Sequence, residues 1–156
     1  MSTEAWVRLW GKTIGAVLLN DGEDVASFEY DPGFVSSGIE VSPLVMPLSS
    51  RVYAFPELAR ETFRGLPGLL ADSLPDRFGN ALIDTWLATQ GRTPDSFNAI
   101  ERLCYIGNRG MGALEFAPVK GPAAKGARAI QIDLLVELAS EILSQRNDLR
   151  ASFQEE

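Results

Sequence analysis

Gly107-Asn108-Arg109-Gly110-Met111-Gly112 is the stretch of this chain best suited to hold a ligand. Closely spaced glycines let backbone N–H groups converge on a phosphate, and Arg109 adds a cation. The flanking pattern runs the wrong way for a dinucleotide site, however, because a helical pattern precedes the loop and a strand pattern follows it. A tight helix-to-strand connection is the simpler reading, with Arg109 the residue best placed to touch a partner. Gly11-Lys12-Thr13 imitates the end of a phosphate-binding loop. Trp6 occupies the place of the required first glycine, and a strand rather than a helix comes next. Asp72, Asp76 and Asp84 offer carboxylates for acid–base or metal chemistry. Asp72 and Asp76 sit at a helix entry, where capping accounts for them, and Asp84 lies on the polar side of that helix, so the three need not converge.

Other chemistry is excluded by composition. The chain has no histidine, which removes imidazole bases, Ser-His-Asp triads and nearly every zinc site with nitrogen ligands. Cys104 has no second cysteine to pair with, and its neighbours Ile100 and Leu103 mark it as a small buried hydrophobe. Trp6, Trp10 and Trp86 could stack on a base or sugar, but tryptophan in strands and on a helical stripe is expected in the core. A net charge of -7 makes the chain a poor electrostatic partner for nucleic acid. The locally basic residues Arg102, Arg109, Lys120, Lys125 and Arg128 suit a phosphate, an acidic partner or a solvated surface.

The elements that must position these residues belong to one α+β domain, which 156 residues with 46% hydrophobic side chains are enough to build. Strands are expected over Ala5–Trp10, Thr13–Leu19 and Val25–Tyr30, joined by turns at Gly11-Lys12 and Asn20-Asp21-Gly22 and closed by Asp31-Pro32-Gly33. Ser42–Pro47, with two prolines, suits an edge strand or an extended crossing. The sheet is predicted to be small, curved and antiparallel, or a partly closed barrel, packed with several helices. From Pro56 onward the apolar period lengthens to that of a helix. One helix is predicted from Ser73 or Leu74, with Pro75 in its first turn, Phe78, Leu82 and Trp86 on its apolar face, and Gly79 allowing close backbone packing. A second is predicted from Thr93-Pro94-Asp95, with Phe97, Ile100, Leu103 and Cys104 buried, ending near Gly107 before a strand at Ala113–Phe116. Residues 119–130 read as a flexible connector between a domain at 1–118 and a helix within 131–156, capped by Asp133 and carrying Leu135, Leu138, Ala139 and Ile142. No apolar run spans a membrane and no signal peptide is present in the sequence, which points to the cytoplasm.

The stretch Leu74-Pro75-Asp76-Arg77-Phe78-Gly79, combined with the later Gly107–Leu114 segment and with Leu44-Val45-Met46-Pro47-Leu48, resembles the N-terminal region of HipA-like toxin kinases. The resemblance implies a noncatalytic domain that packs on a serine/threonine kinase core and contributes to assembly with a HipB-like helix-turn-helix antitoxin, meeting DNA only through that antitoxin. It implies no cofactor or metal in this chain. ATP and magnesium belong to a kinase core that would follow the last helix. Asp76, Arg77, Asn108, Arg109 and Met111 become the candidate interaction residues. A fragment of a longer kinase is the favoured reading. The alternative is a standalone subunit of a split HipA system that binds and inhibits a separate kinase.

Overall fold

Alternation along the first strand decides how the chain begins to fold. In the computed structural model, which describes residues 1–110 and 112–122 together with 132, 135, 136, 139 and 140, strand β1 (Thr3–Leu9) turns Ala5 and Val7 inward and leaves Glu4, Trp6 and Arg8 outside. A two-residue hairpin returns it to β2 (Lys12–Leu19), with Trp10 at φ 49° and Gly11 at φ 77°. Positive φ at both positions matches the right-handed twist of the flanking strands. The turn is therefore Trp10-Gly11, one residue earlier than the sequence pattern suggested.

The β1–β2 register changes from Val7 opposite Gly15 to Arg8 opposite Thr13. Ile14 is the extra residue of a bulge, so Ile14 and Val17 both reach the core. Gly15 is required by close packing, since a Cβ there would stand 2.4 Å from the Glu29 carbonyl oxygen and 2.7 Å from the Phe28 ring.

Strand β3 (Ser27–Tyr30) pairs with β2 on one side and with β4 (Val52–Tyr53) on the other. Asp31-Pro32-Gly33 does not merely close β3. It starts the short helix α1 (Pro32–Val35), whose amides Gly33 N and Phe34 N donate to the Asp31 carboxylate at 2.9 and 3.2 Å. Ser42–Pro47 is no edge strand. It crosses as a turn that buries Met46, whose carbonyl accepts from the Tyr30 hydroxyl at 2.7 Å. The edge is Val52–Tyr53 instead.

Helices α2 (Arg60–Phe63) and α3 (Gly68–Ala71) are single turns separated by Arg64 and Gly65, both at positive φ. There the Gly65 carbonyl accepts from Ala26 N at 2.8 Å, holding the helical half against the sheet. Helix α4 (Arg77–Thr89), a 3-10 turn at Pro94–Ser96 and helix α5 (Ala99–Ile106) follow, and β5 (Leu114–Ala117) returns beside β1. The sheet is open and five-stranded, with order β4-β3-β2-β1-β5 and every pairing antiparallel. It does not close into a barrel.

The main core lies between one sheet face and α5, joining Val7, Val17, Phe28, Tyr30 and Phe116 to Ile100, Leu103 and Cys104. The other sheet face carries Trp6, which is 50% exposed, and Trp10 at the hairpin is 82% exposed. Neither is a core residue. Outward phase on β1 excludes Trp6, and at the turn tip no described residue covers Trp10. Among the described residues, no helix is long and apolar enough to cross a membrane.

Candidate protein-docking cleft

Helix α4 begins later than its proline suggests. Asp76 is the N-cap, accepting from Gly79 N at 2.8 Å, while Pro75 precedes the cap and lends its carbonyl to Asn80 Nδ2 at 3.1 Å. Asp72 has no part in that cap. It ends α3. Gly79 serves its own first turn, because a Cβ there would sit 2.8 Å from Pro75 Cβ and 3.3 Å from Asp76 Oδ1.

Helix α5 likewise starts at a different residue from the one expected. Thr93 makes no side-chain cap and leads only into the 3-10 turn. Asn98 caps α5 through a reciprocal pair: Glu101 N donates to Asn98 Oδ1 and Asn98 N donates to Glu101 Oε2, each at 3.0 Å. The Asn98 side chain also donates to Thr3 Oγ1 at 2.8 Å, tying α5 to β1. Ile100, Leu103 and Cys104 are buried as expected, and burial pushes the Cys104 thiol up to about 11. Such a thiol is not a nucleophile at neutral pH.

Two kinds of contact hold α4 to α5. Ile83 and Leu87 pack against Phe97 and Tyr105 in a small second core, with the Trp86 ring 5.3 Å from Tyr105 and 5.9 Å from Phe97. Beside it the mostly covered Arg102 guanidinium donates to Asn80 at 2.9 Å, to Asp84 at 3.2 Å and to the Pro94 carbonyl at 3.2 Å. Asp72, Asp76 and Asp84 thus serve three separate places. Among the described residues, no group of three or more Cys, Asp or Glu side chains gathers as metal ligands would.

Where the two helices diverge they leave a cleft of about 180 Å³. Pro75, Gly79, Leu82 and Ile83 line one wall, and Tyr105, Ile106 and Arg109 line the other. The Leu74–Gly79 stretch and the beginning of the glycine-rich loop therefore meet in space, as neither could be seen to do from spacing alone. Arg109 folds back over α5. Its guanidinium lies 5.3 Å from the Tyr105 ring centroid and donates to the Tyr105 carbonyl, and its backbone N donates to Ile106 O at 2.9 Å. Burial raises the Tyr105 phenol above its ordinary range, against the lowering pull of Arg109.

Of the four described candidate interaction residues, Arg109 alone lines this cleft. Asp76 is engaged as a cap, and Asn108 is exposed beside Gly107, the residue that ends α5 at φ 56°. Arg77 is exposed and lines a wider polar groove with Arg60, Arg64, Asp84 and Asp95. Pro75 lines both depressions and so forms the ridge between them. Met111 lies outside the described residues. Leu82, Tyr105 and Ile106 were not singled out as site residues, because nothing in a helical stripe tells an apolar residue left at a rim from one carried inside.

Two cations of the locally basic stretch, Arg102 and Lys120, are paired with carboxylates. Arg102 pairs with Asp84, Lys120 pairs with Glu101 at 3.1 Å, and Lys120 N also donates to Cys104 O at 2.8 Å, fixing this part of the expected connector to α5. Lys125, Arg128 and the Asp133 cap lie outside the described residues.

A family model described as the HipA N-terminal domain matches residues 5–117. The chain belongs to that family. Comparison with curated proteins and with solved structures gives no match. The matched span of this HipA N-terminal domain runs from β1 through β5, so it contains the sheet, the α4–α5 layer and the cleft between them. The matched model is that of the N-terminal domain and not of a kinase core. Ile132, Leu135 and Val136 lie beyond the span, helical and more than half exposed at 56%, 55% and 60%.

Proposed function

We propose that this chain is the noncatalytic regulatory and protein-interaction domain of a HipA-like serine/threonine kinase toxin, packing on the kinase core and contributing to assembly with a helix-turn-helix antitoxin. DNA would be met only through that antitoxin, and ATP and magnesium would be held by the kinase core. The observation that carries this reading is the incomplete covering of α4. Only Ile83 and Leu87 are fully buried on that helix, while Phe78 and Trp86 stay half-buried and Leu82, also half-buried, lines an apolar cleft. A surface of that kind at the meeting of two family motifs suits a protein partner better than a phosphate. Asp76, Arg77, Asn108, Arg109 and Met111 remain proposed contacts.

The test is calorimetric titration of this chain with a separately purified HipA-like kinase core. Saturable one-to-one binding is expected, weakened at least tenfold by Leu82→Glu, a change worth about 1.4 kcal/mol. Absence of binding would remove the docking role. Reproducible phosphoryl transfer by the purified chain with ATP and Mg²⁺ would remove the noncatalytic one.

A further inference from the structure

We infer that the cleft between α4 and α5 is a socket for a single large apolar side chain of a protein partner, whose neighbouring carboxylate pairs with Arg109. This rests on the docking reading above and adds the chemistry of the incoming residue.

Size points to a side chain. Small-molecule pockets run to roughly 300–1,000 Å³, whereas this open cleft offers about 180 Å³. Pro75, Leu82, Ile83 and Ile106 give it an apolar lining, and Gly79 leaves one wall without a side chain. An inserted leucine or phenylalanine would bury its surface there without leaving a polar group unpaired.

Charge points to an acid. In the α4–α5 layer Arg92 and Lys120 have Glu101 at 3.9 and 3.1 Å, and Arg102 has Asp84 at 3.2 Å. Arg109 has no carboxylate within ion-pair distance among the described residues. Its guanidinium is already positioned by the Tyr105 ring and carbonyl, so little freedom is lost when a carboxylate arrives. No lining residue is acidic, and an incoming carboxylate meets no like charge in the wall. A basic neighbour on the partner would instead face Arg109, which selects against it.

The test follows the backbone amides of Leu82, Ile106 and Arg109 by NMR while the chain is titrated with N-acetyl-phenylalanyl-glutamate or N-acetyl-phenylalanyl-lysine at millimolar concentrations. Saturable shifts with the acidic dipeptide are expected, and binding of the basic one should be about fivefold weaker. Arg109→Gln should abolish that preference, and Leu82→Trp should fill the socket and abolish the shifts. If Leu82→Trp does not fold, Ile106→Phe makes the same test from the opposite wall. Equal response to both dipeptides, or none, overturns the inference. So do shifts at these amides on concentrating the chain alone with a dimer mass in sedimentation, which would assign the cleft to a second copy. A kinase core that binds the wild type, Arg109→Glu and Leu82→Trp alike sinks the socket and leaves the docking reading standing. A core that fails to bind the wild type sinks the docking reading, and the dipeptide titration still decides the socket.

Discussion

Val7, Ile14, Val17 and Phe28 are 0% exposed along β1 to β3, whereas on α4 only Ile83 and Leu87 reach that state and Leu82 and Trp86 stay half-buried. The strands lay their inward residues against α1, α5 and the turn at Met46, so each is covered from several sides. Among the described residues, helix α4 has one neighbour layer. Its second core consists of Ile83, Leu87, Phe97 and Tyr105 with Trp86 alongside. A helix covered on one side only is held by fewer contacts and keeps apolar surface for another molecule, so lower local stability and binding capacity have the same structural cause.

The widest separation between the two regions should come from Phe28→Ala. Removing a fully buried ring that meets Tyr30 edge-on at 5.0 Å should cost about 3–5 kcal/mol and unfold sheet and helices together in urea. Loss of α4 alone, with β1 to β3 still protected in hydrogen exchange, would contradict the assignment of the main core. Alkali should reach that core as well. Burial raises the Tyr30 phenol from 10.0 to about 12 and the Cys104 thiol from 9.0 to about 11. Both groups are neutral when protonated, so the folded state holds its protons more tightly than the unfolded chain does. Their stabilisation is complete below pH 9 and is lost as pH rises from 9 toward 12. Cys104→Ala should flatten the lower part of that decline, read as thermal midpoint against pH, and an unchanged profile would remove the thiol from the account.

Leu87→Ala tests the other side. The expected cost is smaller, about 2 kcal/mol, at the low end for a buried leucine because a partly exposed helix can relax into the space. Exchange protection should fall in α4 first and leave β1 to β3 untouched. Equal loss across the chain would mean that the two cores fold as one unit.

The same contrast governs what the sequence made legible. Alternation on β1 and β2 located the hairpin to within a residue, and the strand before Pro118 was clear, because period and turn chemistry are local. Hidden from that reading were the Ile14 bulge, the placing of the sheet edge at Val52–Tyr53, and the exposure of Trp6, which no described residue covers on the second sheet face. Prolines misled twice. Pro75 and Pro94 each stand before the real helix, and the caps are Asp76 and Asn98, whose roles depend on the amides that turn toward them. Within the site, Arg109 stood out as a cation between glycines, and the joining of the two motifs into one cleft required the α4–α5 packing that only folding creates.

Asp76 sharpens the comparison at its smallest scale, because its carboxylate caps α4 and is also a proposed contact. Asp76→Ala removes the acceptor of the Gly79 N–H and should cost about 1 kcal/mol, felt in α4 exchange rates before anywhere else. Asp76→Asn keeps a capping oxygen and loses only the charge, so stability should change by a few tenths of a kcal/mol. If kinase-core affinity then falls for Asp76→Ala and is restored by Asp76→Asn, the residue acts by forming the first turn that walls the cleft. If Asp76→Asn lowers affinity while exchange in α4 stays at the wild-type rate, the carboxylate itself meets the partner, and the docking surface extends from Arg109 across the entry of α4.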